Sequence, residues 1–146
     1  MQEEVDEKIR RLKSVKSALI LEAQALRDRG LAPFSRPFYQ SAADAESELA
    51  DLFRSLNRPQ DAQISLFSAA SCLVQAGQFQ KAVPHLRRVL GAFPEAEAML
   101  QECQGRKDEP LVADVPELRA LIGLLLRKGL INEAEWAQAL ETTVAR

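Results

Sequence analysis

Aromatic residues are scarce in this 146-residue chain, at 5% with one Trp and one Tyr, so its core has to come from aliphatic and small side chains. A single histidine, His85, leaves no imidazole pair for a zinc site. Two cysteines, Cys72 and Cys103, match neither CxxC nor a metal-ligand spacing, and each falls on the apolar stripe of an expected helix. Buried free thiols are the expectation, with a disulfide as the alternative. No apolar run approaches the ~20 residues that cross a bilayer, and the opening MQEEVDEKIRRLK is charged where a signal peptide is hydrophobic. A net charge of -2 supplies no basic field for a phosphate backbone or an anionic membrane. Glycine-rich phosphate loops, GxSxG and Walker sequences are lacking, and Glu46/Glu48 and Glu95/Glu97 read as solvated helix positions. Together these absences point to a cytoplasmic protein with no catalytic residue, cofactor or metal, and with neither nucleic acid nor membrane as partner.

What is present is helix-forming. An apolar fraction of 47%, rich in Leu and Ala and broken by only six glycines and seven prolines, predicts an all-α fold. A first helix is expected from Glu3 to Arg29, with Val5, Ile9, Leu12, Leu19, Ala23 and Leu26 on one stripe. Lys16 interrupts that stripe, which argues against a long coiled coil and for packing on neighbouring helices. With Arg10, Arg11 and Lys13 it reads as part of a charged solvent face. Ser35 is the candidate cap of a second helix that presents Phe38, Ala42, Ala45, Leu49, Leu52, Phe53 and Leu56 inward and closes at Asn57-Arg58-Pro59. A third helix carries Ala62, Leu66, Ala69, Ala70, Leu73 and Ala76 and ends at Gly77. A fourth runs from Gln80 to Ala92 with a bend at Pro84, and a fifth from Glu95 to Gln104 with Ala96, Met99, Leu100 and Cys103 inward. The expected organisation is a helical domain over 1–104, a linker over 105–114 and a helical hairpin over 115–146.

The segment LFSAASCLVQAGQFQKAVPHLRRVLGAFP, Leu66 to Pro94, places small, aromatic and breaker residues where a helix-turn-helix repeat needs them. Ala69, Ala70 and Leu73 form a close-packing stripe, Gly77 and Phe79 a turn, Ala82, Leu86, Val89 and Leu90 a second stripe, and Pro94 a stop. In this it resembles one tetratricopeptide (TPR) unit. Leu49, Ala50, Phe53, Asn57, Ala62, Leu66 and Ala69 echo the pattern with Asn57 in place of the turn glycine, and Gly30, Tyr39 and Ala42 echo it more faintly. The spacing is shorter than the family's ~34 residues. The resemblance implies an antiparallel helix stack, a superhelix or a bundle, that holds a segment of another protein in a groove. Carried over by register, the partner-binding positions are Ile64, Phe67, Ser71, Val74 and Gln75, preceded by Asp51 and Arg54. The Lys and Asn residues with which some members clamp a terminal carboxylate are replaced here by Phe67, Ser71 and Val74.

Near the C-terminus, Leu118, Leu121, Ile122 and Leu125 make a very apolar helix that Gly129 ends. Asn132 and Glu135 form a capping box, flanked by Ile131 and Trp136 as a hydrophobic staple. The stretch LLLRKGLINEAEWAQAL resembles the short C-terminal (SHOCT-type) helical hairpins, which implies oligomerisation or docking through Leu118, Ile122, Ile131 and Trp136. Two roles therefore stay open at this point: a scaffold binding a partner segment in a groove, and a self-assembling protein working through the hairpin.

Overall fold

Residues that favour helices, separated by turns that admit a left-handed residue, build seven α-helices and no strand among the described residues. The computed structural model describes residues 1–111 and 116–144 and, of residues 116–119, 140 and 142–144, the backbone alone. The fold is all-α. The helices are α1 (Gln2–Asp28), α2 (Ala32–Ser55), α3 (Pro59–Gln75), α4 (Phe79–Arg88), α5 (Glu95–Cys103), α6 (Pro116–Arg127) and α7 (Glu133–Val144). They fall into two compact units, Met1–Val112 and Ala113–Arg146.

In the first unit each helix packs on the next in the chain, α1 on α2, α2 on α3, α3 on α4 and α4 on α5. Alanine recurs in these contacts: Ala23, Ala42, Ala50, Ala69, Ala70 and Ala82 are all fully buried. Larger side chains fill the spaces between, with Tyr39, Leu66, Leu73, Phe79 and Leu86 in the main core. A second cluster of Ile9, Leu49, Phe53 and Ala62 ties the start of α1 to the end of α2 and the start of α3. The Arg58 guanidinium lies 4.6 Å from the centre of the Phe53 ring, a cation over an aromatic face.

The turns after α2 and α3 are built alike. Gly77 takes φ 74 and Asn57 takes φ 55, so asparagine does stand in for glycine as the left-handed residue. Behind them, Gln78 N–H donates to Leu73 C=O at 2.8 Å and Arg58 N–H to Phe53 C=O at 2.8 Å, closing both helices with the same six-residue bond.

Several expectations change. Ser35 is not a cap: α2 already begins at Ala32, and the Ser35 hydroxyl, inside the helix and buried, donates to Ala32 C=O at 2.6 Å. The reason is that Pro33 sits in the first turn, where its lacking N–H costs nothing, so the helix starts ahead of Pro37 and carries it inside. α4 ends at Arg88, short of Ala92, and Leu90 is 40% exposed, so it does not line the packed face. Glu46 is not solvated. It is 2% exposed, because helical spacing from Ala42, Ala43, Leu49 and Ala50 puts it on the buried face of α2. Its carboxylate lies 2.8 Å from the Lys16 ammonium, which therefore turns inward and leaves the expected solvent face.

The stretch expected to begin a linker lies along the α3–α4 turn. Glu109 N–H donates to Gly77 C=O at 2.9 Å, Gln78 Nε2 donates to Glu109 C=O at 2.7 Å, and Gln80 Nε2 donates to Arg106 C=O at 2.7 Å. Leu111 packs against the main core.

The second unit is a helical hairpin. The cap half of its expected box forms: Glu135 N–H donates to Asn132 Oδ1 at 2.8 Å, while the Glu135 carboxylate accepts from the Asn132 side-chain amide in place of the backbone N–H. None of its described side chains is buried. Leu121, Leu124 and Leu130 are exposed, and Ile122, Leu125, Leu126, Ile131 and Trp136 are half-buried.

Lys16→Met strands the Glu46 carboxylate in an apolar contact without its counter-charge. The expected loss is about 3 kcal/mol, at the low end for a broken buried pair because Lys16 keeps some contact with water. Pairing it with Glu46→Leu should restore most of that loss in urea denaturation, and a single-variant loss under about 1 kcal/mol counts against a structural role for the pair.

Candidate functional site

Two clefts adjoin on the first unit. One, of about 400 Å³, is bounded by α1, α2 and α3 and lined by Ile20, Gln24, Arg27, Asp28, Tyr39, Ser71, Cys72 and Gln75. The other, of about 310 Å³, is lined by Arg27, Arg36, Val74, Gln75, Phe79 and Arg106 together with Ala32, Ser35, Gly77, Glu102 and Glu109. Arg27 and Gln75 border both. The Arg27 guanidinium donates to Gln75 Oε1, so α1 and α3 are joined where the clefts meet. The two clefts thus follow one another along the C-terminal half of α3, and together they are the candidate groove.

Of the residues carried over from the repeat pattern, Ser71, Val74 and Gln75 come together in this groove. The others lie elsewhere. Phe67 is half-buried and stacks on Phe93 with ring centroids 4.5 Å apart and planes within 10°, so its main contact is within its own chain. Ile64 is 54% exposed and lines neither cleft. Asp51 and Arg54 pair with each other at 3.3 Å on an exposed stretch of α2. In the hairpin, Ile122, Ile131 and Trp136 are half-buried, and the Leu118 side chain lies outside the described residues. The groove residues that sequence reasoning missed are those of α1. Ile20, Gln24 and Arg27 recur at helical spacing beside the apolar stripe, a signal present in the sequence.

Charge is distributed unevenly along the groove. Arg36 is paired with Glu109, and Arg106 lies 3.6 Å from Glu102 with its guanidinium 3.9 Å above the Phe79 ring. Arg27 has a neutral amide as its partner. Cys72, 6% exposed beside the first cleft, has its thiol pushed up to about 11, chiefly by burial, with the Glu46 carboxylate acting in the same direction and Lys16 opposing it. Burial likewise raises Cys103, reinforced by Glu102 and opposed by Arg106. Both are free thiols, as expected, and neither is poised as a nucleophile.

A third cleft, of about 340 Å³, brings a hydroxyl and an imidazole together. Ser47 Oγ lies 3.3 Å from His85 Nε2, and His85 Nδ1 lies 3.2 Å from Lys81 C=O. The Nδ1–H tautomer satisfies both contacts, leaving Nε2 to accept from the hydroxyl. Ser47 is, however, in the interior of α2, where the backbone N–H groups are committed to the helix, so the backbone beside it offers no donor pair to a developing oxyanion. Among the described residues no group of three His, Cys, Asp or Glu side chains could hold a metal ion, and no helix is long and apolar enough to cross a membrane.

No protein-family model matches the chain, and neither a curated protein nor a solved structure is significantly similar to it.

The raised thiol of Cys72 fixes a pH dependence. The unfolded chain gives up this proton near 9.0 and the folded chain near 11, so the stabilisation is fully present below pH 9 and is lost as pH rises towards 11. Cys72→Ala should flatten that part of the pH profile of thermal unfolding; an unchanged alkaline limb would show that another group controls it.

Proposed function

We propose that this chain is a non-enzymatic interaction module that holds an extended segment of a partner protein in the groove along α3. The observation that carries the proposal is that two clefts lie side by side along α3 and share Arg27 and Gln75 as lining residues. Their lining suits a peptide. Ile20, Tyr39, Val74 and Phe79 offer apolar surface to side chains, while the amides of Gln24 and Gln75 and the Arg27 guanidinium can meet backbone groups.

The TPR-like reading supports the same conclusion. Beyond the contacts between successive helices, α1 meets α3 through Arg27 and Gln75, α2 meets α4 through Ser47 and His85, and Phe67 of α3 meets Phe93 just ahead of α5. Contacts to the next helix but one are what a stack of helix pairs requires. Two buried, unpaired thiols favour a reducing compartment, in keeping with a cytoplasmic location.

A second reading has its own observation. Among its described residues the two-helix hairpin buries no side chain, and a unit this small does not generate a core alone. Self-assembly through Ile122, Ile131 and Trp136, with Leu118 of the same apolar helix, would supply it.

Placing an arginine in the groove with Ser71→Arg should weaken partner capture at least tenfold, about 1.4 kcal/mol, while Asp51→Ala, outside the groove, leaves it intact. A partner retained equally by both variants removes the groove assignment. For the hairpin, Leu121→Glu combined with Leu124→Glu should turn an oligomer into a monomer in light scattering, and a monomeric parent chain would end that reading.

A further inference from the structure

The α3–α4 turn already holds a peptide: residues 108–111, Asp-Glu-Pro-Leu, of the chain itself. The backbone of Glu109 is engaged on both sides, its N–H by Gly77 C=O at 2.9 Å and its C=O by the Gln78 side-chain amide at 2.7 Å. Its carboxylate pairs with Arg36, which also donates to Pro110 C=O at 3.3 Å. Asp108 Oδ1 accepts from Gln80 N–H at 2.8 Å, at the start of α4, where Gln78 forms no side-chain cap of its own. Leu111 packs on the core. Gly77 is what lets the strap approach: a Cβ there would meet Glu109 Cβ at 2.9 Å.

We propose that this turn is a recognition site for extended acidic segments of the Asp-Glu-Pro-apolar kind, occupied in this structure by the chain's own strap, and that a partner segment of the same chemistry takes the strap's place. The chemistry on the page defines the ligand: two adjacent carboxylates, one for a helix N-terminus and one for an arginine, an extended backbone, and an apolar residue two positions on. Arg36, Arg27 and Arg106 bias the surrounding cleft towards an acidic chain. The strap is suited to exchange because it has no regular secondary structure, and its hold is mostly polar and partly exposed, with Glu109 38% accessible. Such segments open at far lower cost than the packed helices behind them. This inference shares the second cleft with the groove proposed above but needs neither Ser71 nor the first cleft, so Ser71→Arg separates the two readings.

The probe is a terminally blocked Lys-Asp-Glu-Pro-Leu-Val peptide, with Lys-Asn-Gln-Pro-Leu-Val as control, titrated against the full chain and against the full chain carrying Asp108→Asn and Glu109→Gln. Tethering gives the native strap an effective concentration on the order of mM, so the intact chain should bind the acidic peptide weakly. The double variant, its own strap weakened, should bind at least tenfold tighter, the control peptide should not, and adding Arg36→Ala should abolish the gain. Equal binding by both chains, equal binding of both peptides, or no binding at all overturns the proposal. Should the double variant fail to fold, amide exchange in the unaltered chain decides: the Glu109 N–H must exchange well ahead of the amides of α3, and exchange only by global unfolding also overturns it.

Discussion

Full burial of alanines on successive helices is the constraint on which the first unit depends. Ala42 and Ala50 of α2, Ala69 and Ala70 of α3 and Ala82 of α4 are fully buried, and a larger side chain at any of them would force the backbones apart. The few rings are fitted between and beside these alanines, with Tyr39, Phe53 and Phe79 buried. Phe53 is covered by cationic side chains, and Phe67 and Phe93 cover each other. Stability thus comes from close approach of backbones and the dispersion contacts it permits, more than from large buried side chains.

Close approach is permissive about register, since one alanine face slides on another with little penalty. The buried Glu46 carboxylate supplies what alanine lacks. Held 2.8 Å from Lys16, it accepts only the alignment of α1 on α2 that brings an ammonium to that point. Such a pair adds little net stability compared with an apolar replacement, yet misalignment leaves a charge buried and unpaired. The same carboxylate acts on Cys72, one helix further on, so α1, α2 and α3 meet electrostatically around a single acidic side chain.

Much of this was legible in the sequence where the signal is local. Asn57 and Gly77 as left-handed turn residues, the Asn132 cap and the inward face of α5 follow from short-range chemistry, and the structure has them. Misreadings arose where a residue's role depends on something distant in sequence. Glu46 looked solvated because its partner is on another helix, and Gly, charge and Pro over residues 105–111 describe a strap and a tether equally well. The candidate groove was half legible. Ser71, Val74 and Gln75 share a helix face, whereas Ile20, Gln24 and Arg27 enter only when α1 lies beside α3, a contact no periodicity encodes.

The alanine-rich core also explains where the surfaces suited to recognition lie. Helices separated by alanine meet closely along their centres, so the space between them opens at the flanks, where long side chains such as Arg27, Gln75, Arg36 and Arg106 take over. These carry the polar groups that a core of this kind excludes. The turn after α3 is the sharpest case. A left-handed glycine without a side chain creates the approach, the uncapped start of α4 creates the demand for a carboxylate, and Arg36 supplies a cation within reach. None of the three has a packing role that the alanine contacts require, and an extended acidic strand satisfies all of them together.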